Sequence, residues 1–233
     1  MGFHQLEQPV KAELPQTLHT IPGGALALWG GDVVTFRYFH LLKQMSQSKL
    51  SEIQRMLHQK GTEEGKASFR KFVPTSQKVY GVRLPEINDL AKQYKQAGMD
   101  LVVELWKSGA FEERLLAAKL LGKLAKKQPQ MTLQLVQEFS NDLNDWAVCD
   151  TLGTQSIKGI AKEYVEAIFA LSKKLLVSSN PWQRRLGVVL LEIYTKDQHY
   201  HSQVQSYLNL VEGDKEYYVK KAVDWIKRNL GKA

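Results

Sequence analysis

Beyond residue 44, apolar residues recur at the spacing of an α-helix. Leu50, Ile53, Met56 and Leu57 fall at i, i+3, i+6 and i+7, a stripe along one helical face. Phe111 to Ala125 (FEERLLAAKLLGKLA) repeats the pattern and predicts that Leu116, Leu120, Leu121 and Leu124 are buried. Pro129 and Pro181 stand where helices are expected to begin, because proline lacks an N–H that the first turn would leave unused. Strand-like alternation is nearly absent past residue 44, so residues 45–233 are predicted to be all-α. Residues 1–44 differ in texture. They hold Pro9, Pro15 and Pro22 and the pairs Gly23-Gly24 and Gly30-Gly31, punctuation that predicts an irregular N-terminal arm. Within it, DVVTFRYF (Asp32 to Phe39) reads either as a short strand or as the opening of the first helix. MSQSKLSEIQRML, from Met45, has the look of a helix start, which would make residues 1–44 an extension outside the fold.

The helices also recur. Similar apolar segments begin near Arg114 (RLLAAKLL), Trp146 (WAVCDTLG), Arg184 (RRLGVVLL) and Val219 (VKKAVDWI), at intervals of 32, 38 and 35 residues. One helix pair per roughly 34–47 residues is the unit of tetratricopeptide and HEAT-type arrays. The tetratricopeptide signature is missing, which leaves a HEAT-like α-solenoid or a plain bundle of equal helices.

Composition narrows the function. At 43% hydrophobic and 24% charged residues, the 233-residue chain is neither collagen-like, mucin-like nor wholly disordered. No apolar run reaches the ~18 residues of a membrane span, and the N-terminus lacks the features of a signal peptide. A single cysteine, Cys149, allows no internal disulfide, and a cytoplasmic location is expected. The net charge is +8 and the surplus lies after residue 44, which points to a polyanionic partner. No P-loop, GxGxxG, GxSxG or HExxH motif is present, so nucleotide hydrolysis, hydride transfer, serine hydrolysis and zinc proteolysis have no support. His199 and His201 are too few for a metal site, and Cys149 has no neighbouring His to activate it. No metal and no organic cofactor are expected.

Three of the repeated segments carry a tryptophan: Trp146, Trp182 and Trp225. Each can serve as core or as a ligand wall. Trp146 and Asp150 are four residues apart and share a helical face, with the carboxylate one turn beyond the indole. A carboxylate so placed can orient a water or stabilise a cationic transition state, or can be a structural partner of a basic residue. Arg185, in the next repeat, could take a phosphate through two parallel hydrogen bonds. Lys220 and Lys221 precede Trp225 in the last.

Together these pieces resemble the AlkD-like DNA alkylation-repair glycosylases, a family of HEAT-like repeat proteins. The resemblance rests on Val79-Tyr80-Gly81-Val82-Arg83-Leu84-Pro85-Glu86, Glu104-Leu105-Trp106, the Trp-x-x-x-Asp of Trp146 and Asp150, the Trp-x-x-Arg of Trp182 and Arg185, and the Lys-Lys-Ala-Val-Asp-Trp ending at Trp225. It implies hydrolysis of the N-glycosidic bond of cationic N3- or N7-alkylated purines in duplex DNA, with the base left stacked. By the same resemblance Asp150 is the catalytic carboxylate, Trp146 and Trp225 pack against the damaged nucleotide, and Arg185, Trp182, Lys220 and Lys221 lie on DNA. Phe72 stands about where the family can have a tyrosine reaching the DNA, and the chain ends eight residues past Trp225, where better-known members continue. The expected molecule is a monomeric, cytoplasmic repair enzyme, nucleoid-associated on DNA. Its rival is a non-catalytic HEAT-type scaffold whose basic groove holds nucleic acid or an acidic protein.

Overall fold

The computed structural model describes residues 33–73 and 77–232, with side chains from residue 43 onward except that of Phe72. Most of the expected irregular arm, residues 1–32, lies outside the described residues. The chain is already helical from Val33: α1 spans Val33–Lys60, so DVVTFRYF opens a helix and Met45 falls well inside it rather than at its start. No glycine or proline interrupts residues 33–60, so nothing in that stretch stops the helix from extending upstream.

The unit from Leu42 onward contains ten further helices among the described residues, and no strand. They are α2 (Glu63–Phe72), α3 (Leu84–Gln93), α4 (Met99–Lys107), α5 (Phe111–Leu124), α6 (Pro129–Phe139), α7 (Trp146–Gln155), α8 (Val165–Leu176), α9 (Pro181–Val189), α10 (His201–Leu208) and α11 (Tyr217–Leu230). Pro129 and Pro181 each occupy the first helical position, as the missing N–H predicts.

Two rows result. In one, α5 packs on α3 and α7, α7 on α9, and α9 on α11; in the other lie α4 and α6, both against α5, then α8 against α9 and α10 against α11. From α5 on, helices of the first row begin at Phe111, Trp146, Pro181 and Tyr217, at intervals of 35, 35 and 36 residues. The apolar motifs scatter more widely than the helix starts because the best-matching residues sit at different depths in each helix. Stacking of successive pairs against their neighbours is the arrangement of a helical-repeat solenoid and sets aside the plain bundle.

The rows are held by ordinary apolar packing. Leu116, Leu120, Leu121 and Leu124 are buried, as are Ile53 and Leu57 of α1. Where α5 meets α7, only a glycine fits: a Cβ on Gly122 would lie 2.2 Å from the carbonyl oxygen of Gln155. The segment before α3 is tied down by charge. Glu112, at 0% exposure, accepts backbone N–H groups from Tyr80, Gly81 and Val82 at 3.0, 2.7 and 3.1 Å. Glu113 accepts the Tyr80 hydroxyl at 2.6 Å, and burial with that carboxylate beside it pushes the phenol's pKa up. The YGV motif is thus a structural clamp, with Gly81 supplying the positive φ of 82° that its turn requires.

Candidate nucleic-acid interface

Asp145 sets the start of α7. Its side chain caps the helix by accepting the Val148 N–H at 2.9 Å, and Gln77 donates to its other oxygen at 2.9 Å. Burial raises its pKa against the pull of these donors. The cap places Trp146 at the first helical position, half-buried, and Asp150 one turn on.

Asp150 meets Arg185 across the α7–α9 contact. Arg185 donates from Nε to Oδ1 at 2.9 Å and from Nη2 to Oδ2 at 2.8 Å, the parallel two-bond geometry of an arginine on a carboxylate. Its Nη1 donates to the Tyr218 carbonyl at the start of α11, so one guanidinium ties α7, α9 and α11 together. The Arg185 side chain is 6% exposed and that of Asp150 21%. The carboxylate therefore keeps an opening to solvent while its partner has almost none. Burial pushes Asp150 above the ordinary carboxylate range, and Arg185 pulls only part of the way back. Arg185 was expected on a phosphate. The structure instead places it behind Asp150, where it supplies the countercharge that a mostly buried carboxylate needs.

The remaining expected residues are distributed around this pair. Trp182 caps the arrangement at the start of α9, half-buried, its ring stacked on Tyr218 with centroids 5.1 Å apart. Lys220 and Lys221 are exposed on the first turns of α11, with the Lys221 ammonium 5.4 Å from the centre of the Tyr217 ring. Phe72 ends α2, and its side chain lies outside the described residues. Trp106 is core: 1% exposed, stacked on Phe139 at 4.2 Å and donating Nε1–H to Asp142 at 3.0 Å. Cys149 is fully buried, with its thiol against the Trp182 carbonyl and its pKa pushed well up by burial, which makes it inert as a nucleophile.

Trp225 lies on α11 two turns beyond Tyr218, half-buried, in a 570 Å³ depression with Thr195, Lys196, Asn229 and Lys232. A second depression, of 650 Å³, is lined by Lys119, Lys123, Thr154, Gln155, Lys158, Glu192 and Lys196. The two share Glu192 and Lys196, so they adjoin along the C-terminal halves of the first-row helices. Thr154, which lines this depression, is one turn past Asp150 on the same helical face and donates its hydroxyl to the Asp150 main-chain carbonyl at 2.7 Å. Sequence reasoning missed these lysines. Their signal is the repeat register: Lys123, near the end of α5, and Lys158, three residues past the end of α7, stand 35 residues apart at the same offset from the starts of their helices. Among the described residues, no three His, Cys, Asp or Glu side chains converge as metal ligands would.

Such a surface can hold a long anion and present to it one carboxylate backed by an arginine. A profile of the family described as DNA alkylation repair enzyme matches residues 53–233. Among solved structures, the chain is similar to smu.31 from Streptococcus mutans UA159, at 21% identity over 82% of this chain and 84% of that one, with a TM-score of 0.44. No curated protein matches the sequence.

Proposed function

Because the chain belongs to the family of DNA alkylation repair enzymes, we propose that its role in DNA repair is the hydrolytic release of cationic N3- and N7-alkylated purines from duplex DNA. The observation that carries this reading is the Asp150–Arg185 pair: a carboxylate with a solvent-facing side, fixed by two hydrogen bonds, one helical turn from Thr154 in the wall of a lysine-lined depression. Alkylation puts a positive charge on the purine, so the base departs as a neutral molecule when the C1′–N bond breaks with its electron pair. Positive charge then develops on the sugar. A carboxylate beside C1′ stabilises that oxocarbenium-like state and accepts the proton of the water that adds to C1′. Arg185 acts as a positioning residue that aims both Asp150 oxygens, while Trp146 and Trp225 provide aromatic walls along the nucleotide. The groove lysines hold the DNA backbone. In this reading the protein works as a monomer in the cytoplasm, associated with the nucleoid, with water as its second substrate.

The test is release of 7-methylguanine and 3-methyladenine from methylated duplex DNA, with Asp150→Asn beside the wild type. Asp150→Asn should bind damaged DNA and lose excision by about a hundredfold or more. Equal excision by both proteins would remove Asp150 from its role. Binding without release by either would replace this reading with a non-catalytic scaffold.

A further inference from the structure

Lys119 of α5 is only 6% exposed, yet it forms part of the wall of the larger depression beside Lys123, Lys158 and Lys196. Its ammonium donates to Oε1 of Gln155 at 3.1 Å. An ammonium has three N–H donors and a full charge, and the acceptor here is one neutral amide. The acidic side chain lining the same depression, Glu192, lies 3.8 Å from Lys196. The wall therefore presents four lysines, the Thr154 hydroxyl and the Gln155 amide against one carboxylate, and it holds no aromatic ring on which a base could stack.

We infer that Lys119, oriented by Gln155, grips a backbone phosphate of the bound duplex one to two steps from the lesion; this rests on the DNA-repair reading above. The placement follows from α7. Gln155 is five residues beyond Asp150, about 7–8 Å along the axis at 1.5 Å per residue. Base steps rise about 3.4 Å each along the duplex axis, so for a duplex lying along α7 with its damaged sugar at Asp150 a phosphate one to two steps away falls beside Lys119. Burial, with Lys123 nearby, pulls the Lys119 pKa below its ordinary value. A phosphate would supply the missing countercharge, which a solvated surface lysine does not need.

The experiment measures affinity for a short, undamaged fluorescent duplex between about 50 and 200 mM salt, where each phosphate contact contributes about 0.9 to the slope of log affinity against log salt. Lys119→Met should lower that slope by about one contact and weaken binding at the low-salt end several-fold. Lys119→Gln, which keeps a hydrogen bond to Gln155 without the charge, should do the same and is the variant to read if Lys119→Met melts early. Lys173→Met, which removes an exposed charge on α8 in the other row, should leave the slope unchanged. A wild-type slope in both Lys119 variants, or an equal loss in Lys173→Met, overturns the phosphate grip and leaves the repair reading standing. A wild-type protein that binds no DNA removes that reading, and this inference with it.

Discussion

Replacing Arg185 by Met separates the two things that residue does. The substitution keeps most of the side chain's apolar volume but removes both hydrogen bonds to Asp150 and the one to the Tyr218 carbonyl. Breaking a buried ion pair by deleting one partner costs about 3–5 kcal/mol, because the other charge is left uncompensated. Asp150 retains some solvent, which favours the lower end, about 3 kcal/mol. At about 2–4 °C per kcal/mol for a unit of this size, the melting midpoint should fall by about 6–12 °C. The pH dependence makes the assay specific. Burial already raises Asp150 above its unfolded value, and Arg185 is the group that opposes the rise. Without Arg185 the pKa climbs further. A carboxylate whose folded pKa exceeds its unfolded one costs stability above the folded pKa, and that cost disappears as it is protonated. The penalty of Arg185→Met should therefore be largest at alkaline pH and shrink on acidification through the raised Asp150 pKa. In the proposed reaction excision depends on the ionised carboxylate, so its acid limb should move to higher pH, with part of the lost rate recovered as pH rises. Melting curves across pH and a pH–rate profile of base release measure both effects. A variant with wild-type stability and an unmoved acid limb would refute the view that Arg185 acts through Asp150.

Two further predictions concern the frame around the site. Glu112→Gln turns an acceptor-only group into one whose NH2 faces backbone donors, at a position of 0% exposure serving three N–H groups. It should cost about 2–3 kcal/mol in urea unfolding, and an unchanged midpoint would show that the clamp on residues 80–82 contributes nothing net. Gly122→Ala sets a methyl 2.2 Å from the Gln155 carbonyl and must push α5 from α7, at about 1–3 kcal/mol. Its thermal midpoint should fall accordingly, and a rise would mean the two helices have room to separate.

Much of the fold was legible because it is written in local patterns. The leucines of α5 and the prolines opening α6 and α9 act within a few residues of themselves, so reading them needs no partner. The start of α1 stayed open between two readings for the complementary reason: Met45 looked like a start and DVVTFRYF could also open the helix, and a helix stops only where something stops it, which nothing does between Val33 and Lys60. What the sequence did not carry is the arrangement of the candidate residues. Arg185 in sequence is a cation near a tryptophan, and only the α7–α9 packing turns it inward onto Asp150. Glu112 and Lys119 gave no sign at all, because a charge on a helix reads as solvated until the neighbouring helix covers it.

The repeat register accounts for why the chemistry gathers where it does. Copies at a 35-residue interval put equivalent offsets side by side, so one residue type recurring at one offset becomes a track, as Lys123 at the end of α5 and Lys158 just past α7 do in the wall of one depression. A track alone binds any phosphate backbone and distinguishes nothing. Distinction requires a position where the register is broken, and Asp150 is such a position. The equivalent residue 35 places on is Arg185, so two successive repeats carry opposite charges at one offset and neutralise each other across their interface. The pair interrupts a basic surface with a carboxylate that neither the lysines nor solvent fully claims. A substrate that is anionic everywhere except at one cationic base is complementary to that pattern. On this argument, exchanging the two residues, Asp150→Arg with Arg185→Asp, should preserve much of the ion pair's contribution to stability while abolishing base release. Release retained by the exchanged protein would show that the placement of the carboxylate on α7 is not what the reaction uses.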